Sequence, residues 1–341
     1  MTKKLKIGTI IQVKSESEIF ATLDEHGTLD GLPFIFEMRE FCGKTYKVLK
    51  VLNRIHIDGL CRRSIHDTVI LDGVRCNGKA HGGCGRLCYL LFKSAWLNVL
   101  EKDNLGSNIS QTSEGIIDEP PFWKDHAQLC QGNSIQLVKA TKDLSASNIR
   151  QYINDIKTGL WRPRDVASIL LFRLNRKWDS RQPIWALGLG NRSFKDLAQM
   201  AFIVLWQTAR WHLDRAWRTA LQDAKSRPVV KPQNPSTLPL NLRPGEMVEV
   251  KSREEILATL DSRERNKGLA FTGSMVKDCG KKFRVLSKIC GVIDERTGKQ
   301  VKVIKDTVLL EGSICNGISW GGCPRECCWF WREAWLKRLE G

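Results

Sequence analysis

A stretch of about ninety residues is written twice in this chain, and that repetition constrains the fold more than any other feature. Gly8 to Cys42 aligns with Gly245 to Cys279 at a constant offset of 237. The shared positions include Lys14-Ser15 and Lys251-Ser252, the ATLD segments at Ala21–Asp24 and Ala258–Asp261, and the CGK segments at Cys42–Lys44 and Cys279–Lys281. A two-residue insertion near Glu295 to Gln300 moves the offset to 239. The new offset then holds for CNG (Cys76–Gly78 and Cys315–Gly317), GGC (Gly82–Cys84 and Gly321–Cys323) and AWL (Ala95–Leu97 and Ala334–Leu336). Chance does not give this density of matches, so the expectation is two copies of one domain.

Each copy reads as short strands with one helix. TIIQVKS and EMVEVKS have the pattern of first strands, and KTYKVLKVLNRIHI and KKFRVLSKICGVI alternate and carry β-branched residues. SESEIFATL and SREEILATL read as helices, with Ser15 and Ser252 as N-caps and Glu18 and Glu255 three residues on, the spacing of a capping box. ERTGK at Glu295–Lys299 reads as a hairpin tip. The expected fold class is therefore α+β, with two homologous small β-barrel-like domains, each holding one short helix, separated by a mainly α-helical insert. The boundaries predicted are 1–105 and 243–341 for the copies and 122–226 for the insert.

The insert differs in kind. LSASNIRQYINDIKTG places Ile149, Ile153 and Ile156 on one helical face and ends at Gly159. PRDVASILLFRLNRKW opens on Pro163, and the longest predicted helix runs from Ser193 to Lys225. Charge is concentrated here too. Of the net +17, residues 119–240 contribute +10, from 19 Lys and Arg against 9 Asp and Glu. Such an excess suits an anionic polymer as partner, though a solvated basic surface carries the same charge. Trp211 with Arg210, Arg215 and Arg218 is the predicted partner-binding patch, for a protein, a nucleic acid or an anionic membrane surface.

Four cysteine positions are common to both copies: Cys42 and Cys279, Cys76 and Cys315, Cys84 and Cys323, Cys88 and Cys327. Four thiolates match tetrahedral zinc, and the glycines beside Cys84 and Cys323 let backbone N–H groups turn toward sulfur. The prediction is one zinc per copy. An iron–sulfur cluster uses the same donors, and inert core thiols are the structural alternative. Cys328 could replace Cys327 as a ligand. His81 faces Trp320 across the alignment, so a histidine ligand is not a property of the repeat; His81 could bind metal alone in the first copy, but the favoured reading is a solvent-facing loop residue.

The motifs GxxVEVKSxEEILATLD, CGKxFRVL and LEGxxCxGxxxxxCPRxxxxxWREAWLKR resemble a family of bacterial proteins with tandem cysteine-containing repeats. The resemblance covers both copies and, more weakly, RQYINDIKTG. It implies a bacterial cytosolic accessory protein found beside biosynthetic gene clusters, and it implies no activity or ligand set.

No Ser/His/Asp set, HExxH or Walker sequence appears, and four-thiolate sites lack an open position, so an enzyme is the less favoured class. The MTKKLKIGTI start has no apolar core of signal-peptide length, and no apolar run approaches the roughly 18–20 residues of a spanning helix, which predicts a cytoplasmic protein. The leading expectation is a non-catalytic, zinc-stabilised binding or scaffold protein. An iron–sulfur or thiol-dependent redox or biosynthetic component is the alternative, and a peripheral membrane or RNA-binding protein is the third.

Overall fold

The computed structural model describes residues 5–57, 61–100, 130–144, 150–174, 239–303 and 306–339. Within them the molecule is mixed α+β, rich in strands and poor in helices. The first sheet contains β1 (Ile10–Val13), β2 (Thr45–Ile57), β3 (Cys61–Arg75), β4 (Tyr89–Lys93) and β5 (Leu97–Val99). They hydrogen-bond in the order β4-β3-β2-β1-β5, and every pairing is antiparallel. Farther along lie β6 (Met247–Val250), β7 (Lys282–Lys288), the hairpin of β8 (Gly291–Ile293) and β9 (Gln300–Lys302), then β10 (Thr307–Ile314), β11 (Cys328–Arg332) and β12 (Leu336–Arg338). The second sheet runs β11-β10-β7-β6-β12, and the hairpin stands apart from it. Residues 295–299 form the tip of that hairpin, as the sequence suggests.

Neither sheet closes into the expected barrel. A single turn at Ser94–Trp96 carries the chain from edge strand β4 to the opposite edge β5, so the sheet is strongly curled, yet the two edges do not pair. Gln131 explains part of this. Its side-chain oxygen accepts the Leu91 N–H at 2.8 Å and its amide donates to the Leu91 carbonyl at 3.0 Å. That one buried amide does for the middle of β4 what a neighbouring strand would do, and the edge needs no further partner there.

Alternation decides which face of each strand is inside. Ile11 and Val13 of β1 and Val248 and Val250 of β6 are fully buried, with half-buried or exposed residues between them. Both predicted capping boxes form. Ser15 Oγ accepts the Glu18 N–H at 3.3 Å while Glu18 accepts the Ser15 N–H at 3.0 Å, which starts α1 (Glu16–Phe20). Ser252 and Glu255 do the same for the helix Arg253–Leu257. Each core closes on a tryptophan: Trp96 donates to Thr22 Oγ1 at 3.0 Å and Trp335 to Thr259 Oγ1 at 2.9 Å, both rings packing edge-on against a phenylalanine.

Between the sheets come α2 (Ser134–Lys139), α3 (Arg150–Lys157) and α4 (Pro163–Leu174). The two-residue strand Lys142–Asp143 pairs antiparallel with β3. The isoleucine face expected to seat α3 is the wrong one: Ile153 and Ile156 are 49% and 38% exposed, while Tyr152 and Asp155 are buried. Arg54 on β2 is the reason. It is 1% exposed, so its charge has left water and needs a counter-ion, which Asp155 provides. Asp155 also accepts from Asn53, the Tyr152 ring lies 4.6 Å from the Arg54 guanidinium, and Arg62 donates to the Tyr152 hydroxyl at 2.8 Å. The helix turns its polar side inward because the surface it meets is cationic. Tyr152, Val166 and Ile169 meanwhile pack on Ile318 near the second sheet, so the two helices touch both halves. The long helix proposed for 193–225, and Arg210, Trp211, Arg215 and Arg218 with it, lie outside the described residues. No helix among the described residues is long and apolar enough to cross a membrane.

Candidate metal centre

The loop from Cys76 to Cys88 is a knot of backbone. Cys76 donates its N–H to the Cys88 carbonyl at 2.8 Å, and His81 and Gly83 both donate to the Gly78 carbonyl at 3.0 Å. Gly78 has φ +71°, and a Cβ there would stand inside the Cys84 carbonyl, so the CNG motif needs its glycine twice over. The loop of Cys315–Cys327 repeats this, with Gly317 at φ +69° pressed against Cys323.

This closure turns Cys76 and His81 toward Glu37, which arrives on the 3-10 helix Phe36–Phe41. Among the described residues one group of metal-binding side chains converges: Glu37, Cys76 and His81, whose donor atoms all lie within 4.8 Å of one another. His81 Nδ1 is 2.6 Å from Glu37 Oε1 and 3.7 Å from Cys76 Sγ. Glu37 Oε1 also accepts the Ala80 N–H at 3.0 Å, whereas its Oε2 is buried with no hydrogen-bond partner. All three residues are buried, at 3%, 8% and 2% exposure in the order above.

The chemistry of this set suits a divalent ion. One carboxylate, one imidazole and one thiol are donors zinc accepts together. Burial pushes the Cys76 thiol well above its ordinary range, and the charge of Glu37 pushes it in the same direction. A cation at the centre of the three would oppose both effects. Donors about 2 Å from a tetrahedral ion stand about 3.3 Å apart, so loading exchanges the short His81–Glu37 contact for bonds to the ion. The group could hold a metal ion.

The eight cysteines picked out by the alignment do not gather into two four-sulfur sets. Cys42 is half-buried and its thiol donates to the Met38 carbonyl at 3.8 Å. Cys84 is buried against the other half of the chain, accepting the Ile293 N–H at 3.4 Å, and Cys323 accepts the His56 N–H at 3.3 Å. Cys76 and Cys88 do come together, lining a cavity of about 10 Å³ with Cys130, Gln131 and Arg325. That is room for about one water. Burial pushes Cys88 up to about 12 and Cys130 to about 11. In the second half, burial pushes Cys315 and Cys327 up to about 12 and Cys279 to about 11. Cys315 accepts the Gly317 N–H at 3.3 Å, and Cys328, beside Cys327, accepts from Arg75 at 3.7 Å.

His81, read from sequence as a loop residue facing solvent, is buried and belongs to the centre. The aligned Trp320 is 38% exposed and packs on His56 with ring centroids 4.5 Å apart. Glu37 aligns with Ser274, whose hydroxyl meets Ser319. The Glu/His pair therefore exists in the first half alone. Comparison of alternatives in the loop was the wrong guide to His81, and Glu37 carried no signal beyond being an apolar-flanked acid. Comparison of the chain with protein-family models, with curated proteins and with solved structures gave no match.

Proposed function

We propose that this is a metal-stabilised binding or scaffold protein, built from two copies of one domain, whose first copy holds a zinc-class ion between Glu37, Cys76 and His81. The observation that carries this reading is the convergence of three chemically different donors in a buried place, on a loop where Gly78 leaves no room for a side chain. The aligned positions and the equal strand order of the two sheets support the duplication. The metal fixes the 76–88 loop, and that loop bears on the other half of the chain through Cys84, Gly85 and Arg86. A metal ion held by donors that the unfolded chain does not bring together contributes directly to folding. The positive insert supports an anionic polymer or a protein as partner.

Elemental analysis of protein purified without chelator tests the reading. One equivalent of zinc per chain is expected, absent from His81→Ala and retained by Cys315→Ser. A chain without metal, or metal kept by His81→Ala, would remove the assignment.

A further inference from the structure

Two thiols beside the Glu37 centre are not used by it. Cys88 and Cys130 line a small cavity with Cys76, whose own sulfur lies 3.7 Å from His81 Nδ1. We infer that Cys88 and Cys130 together bind a soft monovalent cation, copper(I) by class, in that cavity. This pair stands apart from the Glu37 centre and does not depend on it.

The two thiols come from separate parts of the chain. Cys88 ends the loop that Cys76 begins, the Cys76 N–H donating to the Cys88 carbonyl at 2.8 Å. Cys130 lies in the segment leading to α2. The cavity they share is about 10 Å³, room for one water or one small ion. Gly132 keeps it open. Its φ is not in the left-handed region, so the backbone does not demand glycine there. A Cβ on Gly132 would instead lie 3.4 Å from Cys130 Sγ and 3.5 Å from Arg325 Nη2, both on residues of the cavity wall. Gln131, also in the wall, has its amide N–H groups committed to the Pro33 and Leu91 carbonyls at 2.8 and 3.0 Å. The Tyr89 ring is stacked with the Arg75 guanidinium at 3.6 Å. Sulfur and the Arg325 guanidinium remain to meet an occupant.

Donor number and charge choose the ion. Among the described residues only Glu37, Cys76 and His81 converge as a group of three or more donors, so this cavity offers a pair. Zinc takes four donors, whereas copper(I) is a soft ion satisfied by two thiolates. Binding exchanges the two thiol protons for one cation and leaves a copper bis-thiolate with a single negative charge. Arg325 can answer that charge. It is 6% exposed, and its one ion pair among the described residues is with Glu295 Oε1 at 3.5 Å, an oxygen that Arg86 holds at 3.1 Å. A buried guanidinium that shares its carboxylate is only partly neutralised. Both cysteines are half-buried, which leaves them within reach of an incoming ion.

The full-length chain, reduced and kept from oxygen, can be titrated with copper(I) against the chelator bicinchoninate. One equivalent should resist the chelator in the parent and in Cys76→Ser, and should be lost from Cys88→Ser and from Cys130→Ser. Gly132→Ala, whose methyl group meets its neighbours at ordinary contact distances, should fold and hold copper at least about tenfold more weakly. No copper held against the chelator, or copper kept by either serine variant, would overturn the site. Unchanged affinity in Gly132→Ala would overturn the placement in the cavity. Loss of copper from Cys76→Ser, shown to be folded by circular dichroism, would move the ion onto Cys76 and overturn the pairing. Displacement of the copper by equimolar zinc would overturn the choice of a monovalent ion. Zinc content separates the two centres: a parent chain without zinc removes the Glu37 centre and leaves the copper result standing, whereas zinc lost from Cys88→Ser or Cys130→Ser alone would make that thiol a zinc ligand and overturn this inference.

Discussion

Cys84 Sγ accepts the backbone N–H of Ile293 at 3.4 Å, and the aligned pair makes the same bond in the other direction, Cys323 Sγ accepting from His56 at 3.3 Å. The offsets of 239 for the cysteines and 237 for the strand residues make these the same contact seen twice. Each loop presses its sulfur against the other half's hairpin, with Gly82 packed on Gln300 and Gly321 on Arg62. Arg86 and Arg325, aligned with one another, both reach Glu295, at 3.1 and 3.5 Å. The halves dock reciprocally, as the two partners of an isologous interface do.

Removing either sulfur should cost stability. Cys84→Ala leaves the Ile293 N–H buried without an acceptor, a loss of about 1–3 kcal/mol, and Cys323→Ala should lose a similar amount at His56. Urea midpoints measure both, with the exposed Cys290→Ala as the neutral control. Midpoints equal to the parent in both variants would show that the sulfurs merely occupy space.

The Arg54–Asp155 pair joins the first sheet to the insert, and burial pushes the Arg54 guanidinium down to about 10. Asp155→Ala strands a buried cation and should cost about 3–5 kcal/mol. The paired variant Arg54→Met with Asp155→Leu should lose much less, because no charge is then left unpaired. Equal losses in the single and paired variants would contradict this account.

The second half can be given what it lacks. Ser274→Glu with Trp320→His rebuilds the trio around Cys315, on a loop with matching glycine conformations at Gly317 and Gly321. Metal content should rise from one equivalent to two. A folded double variant that still binds one would mean that the loop alone does not set the site.

Acid should act on the second capping box. The Glu255 carboxyl is pushed down to about 2, chiefly by the Lys337 hydrogen bond and then by the Ser252 N–H. A carboxyl depressed on folding stabilises the fold above its unfolded value of about 4.3, and that contribution disappears as pH falls toward about 2. Glu255→Gln should therefore be less stable than the parent at neutral pH, with the gap closing between about pH 4 and 2. The gap is small, since the side chain is 44% exposed. Ser252→Ala should cost about 1 kcal/mol at neutral pH.

What the sequence made legible was whatever repeats or whatever is local. Ser15 and Glu18 lie three residues apart, and a capping box is decided within that span. The φ demands of Gly78 and Gly317 are likewise local. Closure of the sheet was not legible, because it turns on Gln131, a side chain from outside the sheet occupying the edge of β4. The seating of α3 was missed for a similar reason: an apolar stripe predicts burial only against an apolar partner, and Arg54 is a cation. Alignment of the copies pointed to the four shared cysteines and away from His81. An alignment weighs what two segments have in common, and Glu37 with His81 is something only one of them has.

Reciprocal docking has a consequence for what such a molecule can become. Two separate, identical chains meeting across this interface would carry every substitution on both sides, so a charged, buried pair introduced at one loop would be imposed on the other. Here both docking partners belong to a single polypeptide. One side can keep an exposed Trp320 resting on His56 while the other buries His81 beside Glu37. Covalent continuity releases the halves from symmetry, and a division of labour between a liganding side and a bracing side becomes available without any change in how they fit.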